Sequence, residues 1–417
     1  MNRLAYAAVW LYAFSLPWEG VIRIGGTAVV TRVTGAIAVG CAVLTILVYG
    51  RVRRLHLFHL AVFLFITVLT LNLLVFHPNE PLPNRFWTFI RLALVLWVMW
   101  ELAPTFPRVL GLFTAYVLGS YVAALQTILL FRREGQALRR FAAGDVDPND
   151  LAMILAISLP MAWYLGMTYH NHILRWACRS YIPVCLIAIG LTGSRGGMFA
   201  TLVALLIVPL SMRKLTAGQL ALAITLLCIS GALAVSYVPE KTVERLATTT
   251  TEVQDMRLGG RFKIWRAGLK AFTKKPLMGY GTSSFIGAVY PYLGSQSLVA
   301  HNSYISVLVE QGLIGFTFFT MMFLTVFWGV RRLPPSERRF GLILLATVGV
   351  AMLPLSWEDR KQVWFVLAAL IGLAQARGWR AGAAQPAHAP AAPIQRPWAA
   401  RGRQPLTARA PDRGSMT

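Results

Sequence analysis

The chain has 417 residues, 56% hydrophobic and only 13% charged, with a mean hydropathy of +0.58. A soluble protein carries about 25% charge, so a soluble multidomain enzyme is excluded and a polytopic membrane protein is expected. Lys and Arg number 40 against 16 Asp and Glu, leaving +24; with most of the chain in lipid, the question is which membrane side holds the cations.

A spanning helix needs about 20 apolar residues. Twelve segments approach that measure, near 4–17, 33–49, 57–76, 86–103, 108–131, 150–168, 181–192, 196–211, 216–237, 301–330, 339–356 and 361–377. The first follows Arg3 but lacks a small-residue cleavage pattern, so it is read as a membrane segment rather than a signal peptide. One set of alternate loops holds Arg51, Arg53, Arg54, Arg108, Arg175, Arg179, Arg213, Lys214, Arg331, Arg332, Arg338 and Arg339. The opposite short loops hold Arg23, Arg32, Arg85, Arg195, Arg360 and Lys361. The positive-inside rule therefore puts both termini in the cytoplasm, in agreement with an even number of spans.

The expected architecture is all-α. Residues 1–237 carry nine transmembrane helices with short loops, and 301–377 carry three more. Residues 238–300 form a large outer loop, net +5, of the length that usually has a function. Residues 378–417, rich in Ala, Pro and Arg, read as a disordered cytoplasmic tail. Cys41, Cys178, Cys185 and Cys228 lie in or beside apolar runs without metal-ligand spacing and read as small buried hydrophobes.

Four outer elements carry candidate chemistry. Asp147-Pro148-Asn149-Asp150 precedes a span and offers Asp or Asn as a helix cap. Thr192–Gly197 (TGSRGG) is a turn whose glycines permit close backbone approach and whose Arg195 presents a planar fork suited to phosphate oxygens. In 259–276, Phe262, Trp265, Leu269 and Phe272 follow helical spacing as an apolar stripe. Lys263, Arg266, Lys270 and Lys274 fall on the polar flank, suited to anionic headgroups, while Arg261 lies on the other side, where it can point toward the bundle. A tight turn, Pro276–Gly281 (PLMGYG), leads toward His301-Asn302, followed by Tyr304, Glu310, Gly312 and Gly315. A histidine at a helix start is often structural, and a carboxylate such as Glu310 inside an apolar run marks function or packing. No spacing supports a zinc, calcium or nucleotide site. The residues describe guanidiniums meeting an anionic lipid-linked group, with a histidine nearby.

At these residues the sequence resembles the O-antigen ligase and polymerase superfamily of polytopic membrane glycosyltransferases. The resemblance rests on Ser194-Arg195-Gly196-Gly197, on Arg261 and Trp265 before Pro276 and Gly279-Tyr280-Gly281, and on His301-Asn302 with Glu310, Gly312 and Gly315. Asp147, Asn149, Leu151 and Ala152 resemble the segment before a middle helix, and the whole likeness covers about 140–320.

The resemblance implies a GT-C-like membrane fold in the bacterial inner membrane, with a periplasmic site. It implies a donor glycan linked to undecaprenyl diphosphate and, for a ligase, a lipid A–core sugar as acceptor, with no nucleic-acid partner. One main outer loop fits a ligase better than a polymerase, and the chain is short for a protein O-oligosaccharyltransferase.

Carried over to these positions, Arg195 and Arg261 stabilise the leaving diphosphate, and Arg266 assists. His301 is the general base or, alternatively, a phosphate-positioning group. Asn302, Asp147, Asn149, Glu310 and Tyr280 are candidate substrate contacts. Metal-independent, inverting transfer is expected, with the cations in place of Mg²⁺ and no cofactor. The rival from another class is a transporter or flippase of a polyanionic lipid-linked glycan, disfavoured by the absence of a sequence repeat.

Overall fold

The computed structural model describes residues 2–25, 27–76, 83–135, 140–211, 260–296 and 298–382, with isolated positions at 218, 221 and 225. The ninth expected span, the first part of the large loop, Cys228 and nearly all of the tail lie outside the described residues. Residues 1–378 form one compact unit, and the second unit, 379–417, falls almost wholly outside them.

Among the described residues the fold is helical apart from one two-residue ladder. Helix α1 (Asn2–Ser15) leads through a single 3-10 turn into the ladder of β1 (Arg23–Ile24) and β2 (Thr27–Ala28). Then come α2 (Val30–Tyr49), α3 (Leu57–Phe76), α4 (Asn84–Leu102), α5 (Phe106–Glu134), α6 (Pro148–Thr168) and α7 (His172–Thr192). Two short helices, α8 (Arg195–Leu205) and α9 (Ile207–Ser211), precede α10 (Arg261–Phe272) and α11 (Phe285–Leu293). The chain ends its described part with α12 (Ser303–Arg331), α13 (Pro335–Ala351) and α14 (Lys361–Gly382).

Six of these helices, α2, α3, α5, α6, α7 and α12, are long and apolar enough to cross a membrane. The chain is thus a multi-pass membrane protein by length and composition. The central helix is α6, whose face from Leu151 to Leu165 is almost continuously buried against α5, α7, α8 and α13. A helix apolar all round belongs in such a position. Aromatic stacking fills the same core, with Tyr164 over Phe340 at 4.3 Å and Tyr116 over Phe365 at 5.0 Å.

Three segment readings need correction. The short apolar stretch at 181–192 is the second half of a full-length helix beginning at His172. Asn171 caps that helix through Leu174 N–H, and Arg175 and Arg179 in its N-terminal half conceal its length from a hydropathy count. The stretch at 196–211 breaks after Leu205 into α8 and α9.

The third correction concerns 301–330. Helix α12 is interrupted at Gly312, whose φ of 63° and ψ of −168° leave the helical region. The PLMGYG turn lies against the break. Leu313 N–H donates to Pro276 O at 2.8 Å and Ile314 N–H to Leu277 O at 3.2 Å. In return, Tyr280 and Gly281 N–H donate to Val309 O and Glu310 O at 3.0 and 2.8 Å. Backbone groups freed by a kink inside a membrane protein need partners of this kind. From α3, Asn72 Nδ2 locks the junction by donating to Met278 O at 2.6 Å and Gln311 Oε1 at 3.1 Å. A Cβ on Gly279 or Gly312 would collide with the backbone facing it, which explains the glycine at each position.

Candidate active site

The first turn of α6 is the hub. Asp147 caps the helix by accepting from Asn149 N–H at 2.7 Å. Asn149 Oδ1 accepts from Arg140 Nη2 at 2.8 Å and from Ser194 Oγ at 3.0 Å. Arg140 also donates from Nε to Thr192 O at 2.8 Å. Ser194 in turn caps α8 through Gly197 N–H at 3.2 Å. Gly197 packs so closely on Ala152 that a side chain would not fit, drawing the start of α8 onto α6. Arg195, half-buried, therefore leaves the first turn of α8 beside the α6 cap. Arg140, absent from the candidates read from sequence, holds these loops together, and no motif marks it.

On the other flank stands the start of α12. Asn302 is the cap, with Oδ1 accepting from Tyr304 and Ile305 N–H at 3.0 and 3.1 Å. This leaves the preceding His301 outside the helix with φ +45°, a left-handed conformation uncommon for a non-glycine residue. Such strain is found where a side chain must be aimed. The half-buried imidazole is influenced by Arg261 on one side and by Asp147 and Asp150 on the other. Burial, reinforced by Arg261, lowers its pKa below the ordinary value, against the smaller opposing pull of the two carboxylates. His301 is thus neutral near pH 7. Asp150 is itself engaged, accepting from Trp357 Nε1 at 2.8 Å and pairing with Arg360 Nη2 at 2.7 Å.

Arg261 is the first residue of α10, which with α11 forms a satellite core against α12. The buried face of α10 is Ile264, Ala267, Gly268 and Ala271. The apolar stripe read from sequence is a different face: Phe262 and Leu269 are exposed, and Trp265 is half-buried with Nε1 donating to Ala300 O at 2.9 Å. Small residues win the inner face because α10 lies close to Phe285 and Ile305. Arg266 points outward and is exposed. Tyr280 donates to Ala271 O at 3.2 Å and lies under Lys275.

Glu310 sits apart from the histidine, deep beside Arg85 of α4. Arg85 Nη1 donates to both Glu310 oxygens at 2.9 Å, Nε to Asp359 Oδ2 at 3.0 Å, and Nη2 to Glu358. Phe285 N–H also donates to Glu310 Oε1 at 3.3 Å. Burial raises the Glu358 carboxyl above its ordinary pKa, against the pull of Arg85.

This cluster lines a cavity of about 1030 Å³ at the end of the bundle where α2, α4 and α14 begin. Its polar end includes Glu19, Arg85, Asp359, Arg360 and Lys361, and its walls include Val39, Leu92, Leu94, Val95 and Ile286. Val299 and Ala300 line it too, so the cavity reaches the backbone next to His301. The structure thus brings Asp147, Asn149, Arg195, Arg261, His301 and Asn302 to one end of the bundle, with Glu310 below them. Arg266 and Tyr280 stand outside this group.

Residues 182–320 match the family model described as O-antigen ligase. The likeness to the O-antigen ligase superfamily is thus shown over that segment. It contains Arg195, Arg261, His301, Asn302 and Glu310, and leaves the α6 cap and Arg85 outside. A second similarity is to the exopolysaccharide production protein ExoQ of Rhizobium meliloti (strain 1021), 31% identical over 110 residues. That match covers 24% of this chain and 25% of the relative. Both likenesses are partial, and the chain spans about a quarter of the length of this curated relative.

Proposed function

We propose that the protein is a metal-independent, inverting glycosyltransferase. It transfers O-antigen polysaccharide from undecaprenyl diphosphate to a lipid A–core sugar hydroxyl at the periplasmic face of the inner membrane. The observation that carries this reading is the strained His301, under the influence of Arg261 and directly after Ala300, which lines a cavity with a charged end and apolar walls. An amphiphilic phosphate donor fits that shape.

In the reaction, the acceptor hydroxyl oxygen attacks the anomeric carbon and His301 takes its proton. The bond from that carbon to the diphosphate oxygen breaks with its electron pair, and the leaving diphosphate is stabilised by Arg195 and Arg261. Attack opposite the leaving group inverts the centre. Arg266 and Tyr280 are assigned to outer substrate contacts, and Asp147, Asn149, Asn302 and Glu310 to the frame around them. The proposed topology is GT-C-like with twelve spans. Residues 1–237 carry nine, 238–300 the periplasmic loop, 301–377 three more and 378–417 a tail, with both termini cytoplasmic.

The test uses purified protein in detergent with lipid-linked glycan donor and lipid A–core acceptor. Transfer that survives EDTA and is lost in His301→Ala supports the reading, while strict Mg²⁺ dependence refutes its metal-free form. A flippase has nothing to transport in detergent, so no transfer there favours the transporter. The similarity to a protein named for exopolysaccharide production favours a second reading, polymerisation. Deleting the gene separates the two. Lipid-linked glycan that accumulates without reaching the core indicates a ligase; a single unit left on the core indicates a polymerase.

A further inference from the structure

Five cations line the cavity, and they fall into two groups. Arg85 is ringed by Glu310, Glu358 and Asp359; Arg360 pairs with Asp150, and Lys361 with Glu19. Arg32 of α2 and Arg91 of α4 also line it, yet neither has an ion-pair or hydrogen-bond partner among the described residues. Both are exposed rather than folded onto a neighbour.

Their positions are regular. On α2 the lining residues Arg32, Gly35, Ala36 and Val39 follow i, i+3, i+4, i+7 spacing, and on α4 Thr88, Arg91, Leu92 and Val95 do the same. Each is one face of a helix, and α2 packs beside α4. Along both faces the chemistry turns from cationic to apolar, with an arginine at the change. Arg91 is the eighth residue of its helix, one turn before Leu94 and Val95. An arginine set among apolar groups in a membrane protein is costly and calls for a polar ligand.

We propose that Arg32 and Arg91 together hold the phosphate of a lipid-linked substrate, at the level where the cavity's polar end gives way to its apolar walls. Two guanidinium forks from facing helices suit phosphate oxygens, and the Gly35, Ala36, Val39, Leu92 and Val95 faces beneath suit the chain esterified to it. The three carboxylate-paired cations shape the cavity instead. This assignment rests on the donor reading above and adds the residues that hold the donor's lipid end.

The test is binding of farnesyl diphosphate, a diphosphate on a short isoprenoid chain, to the full-length protein in detergent by calorimetry. R32Q and R91Q are each expected to weaken binding about tenfold or more, as loss of a charge-assisted contact does, with the melting temperature unchanged. R91K should retain part of the affinity. In transfer assays both Gln variants should raise the donor KM more than they lower kcat.

Wild-type affinity in both Gln variants overturns the pair and leaves the donor reading standing. No binding by the wild-type protein overturns both. Inorganic diphosphate binding as tightly as the farnesyl probe removes the lipid chain from the proposal. Displacement of the probe by equimolar phosphatidylglycerol makes the pair a headgroup site of the bilayer, and the substrate assignment falls.

Discussion

Arg85 and Glu310, 225 residues apart in sequence, meet as a fork: one guanidinium nitrogen lies 2.9 Å from each carboxylate oxygen. Glu358 and Asp359 complete the ring around the same side chain. One cation thereby ties α4 to α12 and to the loop before α14. Arg85→Met leaves the buried Glu310 and Glu358 without their cation, at an expected cost of about 3–5 kcal/mol. Thermal unfolding in detergent measures it, and adding Glu310→Gln and Glu358→Gln should recover much of the loss. A wild-type melting temperature for Arg85→Met would show that the ring contributes little.

The pH dependence of transfer follows from His301. Its pKa lies below the ordinary 6.5 because burial and Arg261 both disfavour the imidazolium. A base works unprotonated, so activity should persist as pH falls and decline only below 6.5. Arg261→Gln removes one cause of the depression and should move the acid limb upward. An acid limb that stays in place when Arg261 is replaced would separate the two residues.

Arg195→Ala and Arg261→Ala are each expected to lower kcat by about 10²–10³, the usual cost of one preorganised donor to a developing anion. Lysine should rescue poorly at both positions, since it lacks the planar fork. Single-turnover transfer from purified donor checks this. Full rescue by lysine would reduce both residues to point charges.

Asn302→Ala removes the acceptor of two helix-start N–H groups and should cost about 0.5–2 kcal/mol. It also releases the backbone that holds His301 at φ +45°. Stability should therefore fall modestly while transfer falls further, with Asn302→Asp restoring both. Equal loss of the two would leave Asn302 a cap and nothing more.

Gly312→Ala should destabilise the fold strongly, because a methyl group there meets the Leu277 carbonyl and φ is +63°. Gly40→Ala, with open space around the new methyl, should be neutral or slightly stabilising. Melting temperatures of the two variants, compared side by side, check the contrast.

The membrane character was legible because hydropathy over 20 residues is a local property. Short motifs singled out Arg195, Arg261 and His301, and folding brings the three to one end of the bundle. What escaped was non-local. Helix α7 looked short since its N-terminal half carries Arg175 and Arg179, and the break at Gly312 depends on a turn some thirty residues earlier. The face that α10 turns to the protein is invisible in an apolar count, where aromatic side chains outrank alanine, whereas close approach favours Ala267, Gly268 and Ala271. Arg85 read as an ordinary loop cation; only folding gathers three carboxylates from two distant segments around it.

The interruption of α12 has a bearing on depth. Residues 313–331 alone amount to about 28 Å of helix at ~1.5 Å per residue, nearly the full hydrocarbon thickness of a bilayer. The turns before Gly312, which carry Glu310 and lead back to His301, are therefore surplus to the crossing. In the reaction proposed above, the groups that meet the donor thus belong to a part of the helix that bilayer thickness alone does not require.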